Sequence, residues 1–260
     1  MYNSSIVAGH TFPTFLRETQ YANPTNKDRT GWKHGMKTDK HFFDWAGAPD
    51  NEGYARAFNN HMRFKTWGLR WHEMPDLMAA IFRDPKLSAD QVLIVDIGGG
   101  SGHDLVGFRT AHPDMPGRLI LQDLPHAIDS ADNDELSRHG IEASIHDFFT
   151  PEPVHDARVY YLKMVLHDWP DQQCVEILTN IKSAMRARYS RILLNEIIVP
   201  DVNARWFETG VDLIMMGVHS SHERREKAWR KLVDEVGGLK VNRIWDVAGA
   251  IEKVIEVELL

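Results

Sequence analysis

The chain has 260 residues, 43% hydrophobic and 26% charged, enough to bury a sizeable core as one or two domains of an ordinary globular protein. Its 30 basic and 37 acidic side chains give a net charge of −7, and the brief basic cluster "HERREKAWRK" (222–231) reads as the solvated face of a helix through Arg225 and Lys227, so neither nucleic acid nor an anionic membrane is an expected partner. One cysteine, Cys174, excludes an internal disulfide, and "MYNSSIVAGHTFPTFLRETQ" at the N-terminus has neither a basic leader nor a long apolar run, so a cytoplasmic location is expected.

Residues 1–50 are rich in Asn, Thr, Gly, Pro and aromatics without sustained periodicity and predict an irregular arm. In "EGYARAFNNHMRFKTW" (52–67), Tyr54, Ala57, Phe58 and Met62 recur at helical spacing and predict an amphipathic helix, and "MPDLMAAIF" predicts another. From residue 91 the pattern changes. Strand-like runs "QVLIVDIG", "GRLILQD", "IEASIHD", "ARVYYLKMV" and "SRILLNEII" alternate with helical stretches, which implies parallel βαβ units with helices on both faces of a sheet. The chain thus divides into an arm with linker helices, 1–90, and a main α/β domain, 91–260. In "DQQCVEIL" the cysteine stands at helical spacing with Ile177 and Leu178, which points to core packing rather than nucleophilic chemistry. "GGLKVNRIWDV" and "AIEKVIEVELL" are separated by too few residues for a parallel crossover, so the sheet is expected to end in an antiparallel pair with a reversed last strand.

The most informative stretch is "VLIVDIGGGSGHDLVGF" (92–108), in which Gly98, Gly99, Gly100 and Gly102 follow a strand. Glycine inside regular structure costs roughly 0.5–1 kcal/mol relative to alanine, so such a cluster implies a ligand close to bare backbone. A dinucleotide fingerprint would place a third glycine where His103 stands; the pattern here is G-x-G-x-G. Asp123 ends the next strand, where a carboxylate accepts hydrogen bonds from two ribose hydroxyls, a feature that suits NAD as well. "LHDWPD" (166–171) follows the fourth strand on the edge that carries the glycine loop, so His167 can project into a site there, with Asp168 in a structural role. The 14 histidines show no compact ligand spacing, and no metal is implied.

Taken in order, "VDIGGGSGHDL", "LQDLP", "HDFF", "YYLKMVLHDWPDQQCVEIL" and "NEIIVP" resemble the class I S-adenosylmethionine-dependent methyltransferases, and within them the plant and fungal small-molecule O-methyltransferases of the caffeate O-methyltransferase type. The resemblance covers most of the chain and is strongest over 91–200. It implies a Rossmann-like fold with a mixed seven-stranded sheet whose last strand is antiparallel. It implies S-adenosylmethionine held by Gly98, Gly100, Gly102, Asp123, Leu124, Asp147, Phe148 and Lys163. His167 matches the family's general base, Glu196 and Glu223 the two glutamates that flank it, and Phe58, Met62, Met215 and Met216 match positions of the acceptor pocket. A free histidine titrates near ~6.5 and a phenol near ~10, so neutral imidazole is a suitable acceptor for the proton released as the oxygen attacks.

The expected function is methyl transfer to a hydroxyl of a small aromatic secondary metabolite. The rivals are a cofactor-binding scaffold or partner subunit without methylation, and a non-methylating rearrangement aided by the sulfonium charge. Retention of His167, Glu196 and Glu223 together disfavours both. The resemblance also implies an N-terminal helical domain that residues 1–50 are too short to replace. A second polypeptide supplying it, and exposure of apolar "IVAGHTFPTFL" (6–16), are therefore expected.

Overall fold

The computed structural model describes residues 2–51, 53–57, 60, 69–83 and 87–260. Strands β1 (Val92–Ile97), β2 (Arg118–Asp123), β3 (Ile141–Ile145), β4 (Val159–Lys163) and β5 (Arg191–Val199) pair in parallel. The two-residue β6 (Arg224–Arg225) adds to β5 beside the main path. After it come β7 (Leu239–Asp246) and β8 (Glu252–Leu259), and the sheet order is β3-β2-β1-β4-β5-β8-β7. β8 runs antiparallel to both β5 and β7, as the short connection between the last two strands requires.

Period-two alternation sorts the strand side chains onto two apolar layers. On β4, Tyr160 and Leu162 join one core with Cys174, Ile177, Leu178 and Ile181 of α8 (Asp171–Ala184) and with Trp229 of α10 (Glu226–Glu235). Val159 and Tyr161 of the same strand face the other core. It is made with Leu77 and Ile81 of α4 (Pro75–Phe82) and with Leu105 and Phe108 of α5 (His103–Ala111). Between β2 and β3 lie α6 (Pro125–Ser130) and α7 (Asn133–Arg138). Because β2 lies on one side of β1 and β4 on the other, the chain switches direction at β1, and a crevice opens at the carboxyl ends of these strands.

The arm is more ordered than its composition predicts: α1 (Tyr2–Glu18), α2 (Gly31–Met36) and α3 (Phe42–Ala46) lie within 1–50. Tertiary packing accounts for the difference. Trp32 is 1% exposed and meets Phe42 and Trp45 edge-on, with centroids 5.4 and 5.2 Å away. These residues pack against α9 (Trp206–His219); a Cβ added to Gly31 would lie 2.7 Å from the Gly217 carbonyl oxygen. Thr30 caps α2 by accepting the Lys33 amide N–H. The segment 6–16 is correspondingly less exposed than expected: Ala8 and Phe15 are buried, and Ile6 alone of its large apolar side chains is prominently exposed. Of the helix expected over 52–67, residues 53–57 are helical; Phe58 and Met62 lie outside the described residues. Among the described residues no helix is long and apolar enough to cross a membrane.

Candidate active site

A cavity of about 550 Å³ fills the crevice at the switch point. Gly98, Gly100 and Gly102 hold φ of 70°, 60° and 76°, left-handed values that a side chain would strain. A Cβ on Gly98 would also approach Val165 Cγ2 to 3.0 Å, whereas one on Gly100 would meet nothing within 4 Å. Gly98, Gly100, Asp123, Leu124, Asp147, Phe148 and Lys163 all line the cavity; Gly102 instead starts α5 behind it.

Asp123 joins the loop to the wall. Its Oδ2 accepts the Gly100 amide N–H at 2.8 Å and its Oδ1 the Leu124 amide N–H at 2.7 Å. Burial pushes its carboxyl up, opposed by those two amides. One acceptor site remains on each oxygen, enough for a vicinal diol. Asp147 Oδ1 accepts the Phe149 amide N–H, and Phe148, Phe149 and Trp169 form an edge-to-face aromatic wall. Lys163 Nζ donates to both carboxylate oxygens of Asp104, at 3.1 and 3.0 Å. Burial opposes ionisation of Asp104, but Lys163 and His103 outweigh it and hold the carboxyl below its usual range.

His167 sits in a 3₁₀ turn, Leu166–Asp168, just after β4 and is 4% exposed. Its Nδ1 lies 2.7 Å from Glu223 Oε1 and its Nε2 3.5 Å from Asp168 Oδ1. Burial opposes the imidazolium, yet Asp168, Glu223 and Glu196 prevail and lift the pKa to about 9. Glu196 Oε1 accepts the Val165 and Leu166 amides at 3.1 and 2.8 Å, so it holds the turn's backbone rather than the ring. Burial pushes the Glu196 carboxyl up to about 7 against the pull of His167. Among the described residues Asp168 and Trp169 line the cavity and His167 does not, so the turn presents its neighbours to the open space.

Met215 and Met216 are not part of that wall either. Met215 packs with Met164, Ile197, Val211 and Ile251 in a separate small core, because the face of α9 that carries it turns toward β5. In their place the arm contributes His41, Phe42 and Phe43. Arg224 was hidden within the basic run read as solvated: Arg225 and Lys227 are exposed, but Arg224 is 1% exposed. Its guanidinium donates to the Leu166 and Trp169 carbonyl oxygens at 3.1 and 2.8 Å and to Asp171, clamping the His167 turn. Leaving two buried carbonyls without this charged donor costs about 1.5–3 kcal/mol. Arg224→Leu is therefore expected to lower the unfolding midpoint by about 3–12 °C in calorimetry, at ~2–4 °C per kcal/mol for a chain of this size. Cys174 is fully buried beside this clamp, and burial pushes its thiol up to about 12, in keeping with a packing role.

An O-methyltransferase domain family model matches residues 52–238. The chain is 36% identical over 249 residues to methyltransferase cfoC of Aspergillus candidus and 38% identical over 229 residues to O-methyltransferase ucdC of Aspergillus ustus. These matches cover 95% and 88% of this chain but 60% and 57% of the relatives, so the chain spans well under two thirds of their length. Among solved structures, a pericyclic reaction enzyme superposes with a TM-score of 0.88 at 31% identity and LepI in complex with SAM with 0.86 at 30%. OxaC in complex with SAH and oxaline superposes with 0.89 at 27% identity. Each covers 100% of this chain, which in turn spans 65%, 65% and 64% of those chains.

Proposed function

Because the chain belongs to the O-methyltransferase domain family, we propose that it transfers a methyl group from S-adenosylmethionine to a hydroxyl of a small aromatic secondary metabolite. Residues 91–260 are the cofactor-binding domain and His167 is the general base. The observation that carries this reading is the meeting of the glycine loop, Asp123, Asp147 and Phe148 around one cavity whose wall continues into the turn bearing His167. Fungal relatives named as O-methyltransferases, and neighbours crystallised with SAM or SAH, support it.

The residues present fit the cofactor. Asp123 keeps acceptor capacity for the ribose diol, the glycines let the methionine portion approach backbone, and Phe148 offers an aromatic face for the adenine. Asp147 stands beside the same ring, and Lys163, with two N–H groups on Asp104, retains a third donor. When bound, the cofactor supplies a sulfonium-activated methyl group. His167 holds the proton lost by the acceptor hydroxyl, Glu223 orients the ring through Nδ1, and Glu196 fixes the backbone that carries it. Incubating the chain with labelled S-adenosylmethionine and a panel of phenols, with mass detection, tests the reading; a panel returned wholly unmethylated would refute it. The likeness to a pericyclic reaction enzyme favours a second reading, rearrangement without methylation, whose product gains no methyl mass.

The charge on His167 sets the pH dependence. Its folded pKa of about 9 lies above the ordinary imidazole value of 6.5, so its stabilising contribution is complete below ~6.5 and is lost as pH rises through ~9. Only the deprotonated ring accepts a proton. The expected result is a kcat/KM that rises about tenfold per pH unit toward pH ~9, while the unfolding midpoint falls over the same window. A rate plateau already reached at pH 6.5 would contradict the raised pKa.

A further inference from the structure

One corner of the cavity carries charge that no part of the function above uses. Lys27, Asp28 and Lys33, all from the arm, line it together. Lys33 follows Trp32 on α2; the Thr30 cap holds its amide and the arm core holds its neighbour's ring, so the helix is fixed at one rotation. Its side chain is 12% exposed. Among the described residues its Nζ has one ionic partner, Asp28 Oδ1, at 3.7 Å, beyond hydrogen-bond length. That oxygen already accepts a hydrogen bond from Lys27 Nζ at 3.0 Å, and the Asp28 side chain is 69% exposed. One solvated carboxylate is thus shared by two ammonium groups. Burial, then Lys33 and Lys27, push the adjoining His41 imidazole down to about 4, and Asp28 is the acid that opposes them. Asp39 and Asp44 line the cavity as exposed side chains and do not balance this corner.

We propose that this corner holds a carboxylate carried by the acceptor, and that Lys33 is the residue that selects for it. The inference rests on the methyl-transfer reading above and narrows the acceptor to an aromatic hydroxy acid.

The selection follows from the cost of covering a charge. An ammonium group that loses water without gaining an anion is unfavourable, and Lys33 is already mostly buried. A neutral acceptor filling the cavity displaces the remaining water and returns nothing. A carboxylate replaces that water with charge-assisted hydrogen bonds, for which Nζ has three N–H donors. The difference between an acid and its ester therefore falls on Lys33. Lys27 is 40% exposed and bound to Asp28, so its share is smaller.

The place of the corner assigns the carboxylate to the acceptor. His41 stacks on Trp169 with centroids 4.4 Å apart, and Trp169 closes the turn that bears His167. Lys33 acts on His41, so it stands on the side of the base, whereas the glycine loop and Asp123 lie across the switch point. The methionine end of the cofactor, placed against the glycines, is on that far side. Lys33 makes and breaks no bond. It anchors one end of the acceptor, which helps bring the hydroxyl in line with the methyl group.

The test uses the full chain saturated with S-adenosylhomocysteine. Hydroxybenzoates, hydroxycinnamates and hydroxynaphthoates, each beside its methyl ester, are titrated into it by calorimetry at pH 7. The best acid is expected to bind at least about tenfold more tightly than its ester. Lys33→Met should narrow that preference to within about threefold, and Asp28→Asn should widen it, because Lys33 loses its competing carboxylate. Opposite shifts from two neighbouring substitutions are not what general loss of folding produces. Affinity for S-adenosylhomocysteine should stay within about twofold in both variants. A parent in which no acid binds more tightly than its ester, whether or not the esters bind, overturns the proposal. So does a preference that survives Lys33→Met, or one that Asp28→Asn leaves unchanged should Lys33→Met fail to fold. Weaker S-adenosylhomocysteine binding in Lys33→Met with the acid preference intact assigns the anion to the cofactor and also overturns it. Mass detection with S-adenosylmethionine separates the two readings. Esters methylated as fast as acids reject the selection and leave methyl transfer standing; acids that bind through Lys33 yet gain no methyl mass reject methyl transfer and leave the carboxylate subsite.

Discussion

His167→Gln is expected to reduce methyl transfer by about 10²–10⁴-fold, the range lost when a positioned general base is removed. The imidazole is 4% exposed and hydrogen-bonded to Glu223 at 2.7 Å, so the cluster holds a proton that glutamine cannot hold. Binding of S-adenosylmethionine should be nearly unchanged, because the role proposed for His167 is confined to the reaction and the ring lies outside the wall formed by the glycine loop and Asp123. The checks are single-turnover assays for the methyl step and calorimetry for binding. Full turnover in the variant would remove His167 from its proposed role. Glutamine also retains an amide that can face Glu223, so a collapse of both turnover and cofactor binding would indicate structural damage to the turn instead.

Asp123→Ala has the second largest expected effect, and it falls on the other half of the reaction. The carboxylate ties Gly100 to β2 at 2.8 Å and retains acceptor capacity toward the cavity. Losing charge-assisted bonds to the ribose diol costs about 1.5–3 kcal/mol, which corresponds to about 10–150-fold weaker binding of S-adenosylmethionine and S-adenosylhomocysteine alike. Asp123→Asn should recover part of this, since its carbonyl oxygen still accepts one bond. Titration of both ligands into both variants is the measurement. Affinities equal to the parent's would place the ribose elsewhere in the cavity.

The two expected failures differ in kind. One leaves binding and removes chemistry, and the other leaves the base cluster and removes binding. The structure separates them physically: the glycine loop and Asp123 belong to β1 and β2 on one side of the switch point, whereas His167 follows β4 on the other.

Read alone, the sequence determined those features whose cause is local. Strand and helix alternate every few residues because period-two and period-3.6 patterns are written in neighbouring positions, and β1 through β5 follow that text. The short link between β7 and β8 allows nothing but an antiparallel pair, and the glycine cluster after β1 marks bare backbone that Gly98 and Gly100 bring to the cavity. Tertiary structure alone decided the rest. The arm became helical because Trp32, Phe42 and Trp45 pack together and against α9, an energy that no window over 1–50 contains. Arg224 is buried and Arg225 exposed because of where β6 meets the His167 turn, although both stand in one basic run. Met215 fills a small core instead of the cavity for the same kind of reason, the rotation of α9 about its axis. His41 and His219 stand 178 positions apart, and their approach depends on the fold of both the arm and the sheet. Local backbone preferences are set by adjacent atoms and so can be read in order; proximity across the fold is set by how whole faces bury apolar surface, which the order of residues does not spell out.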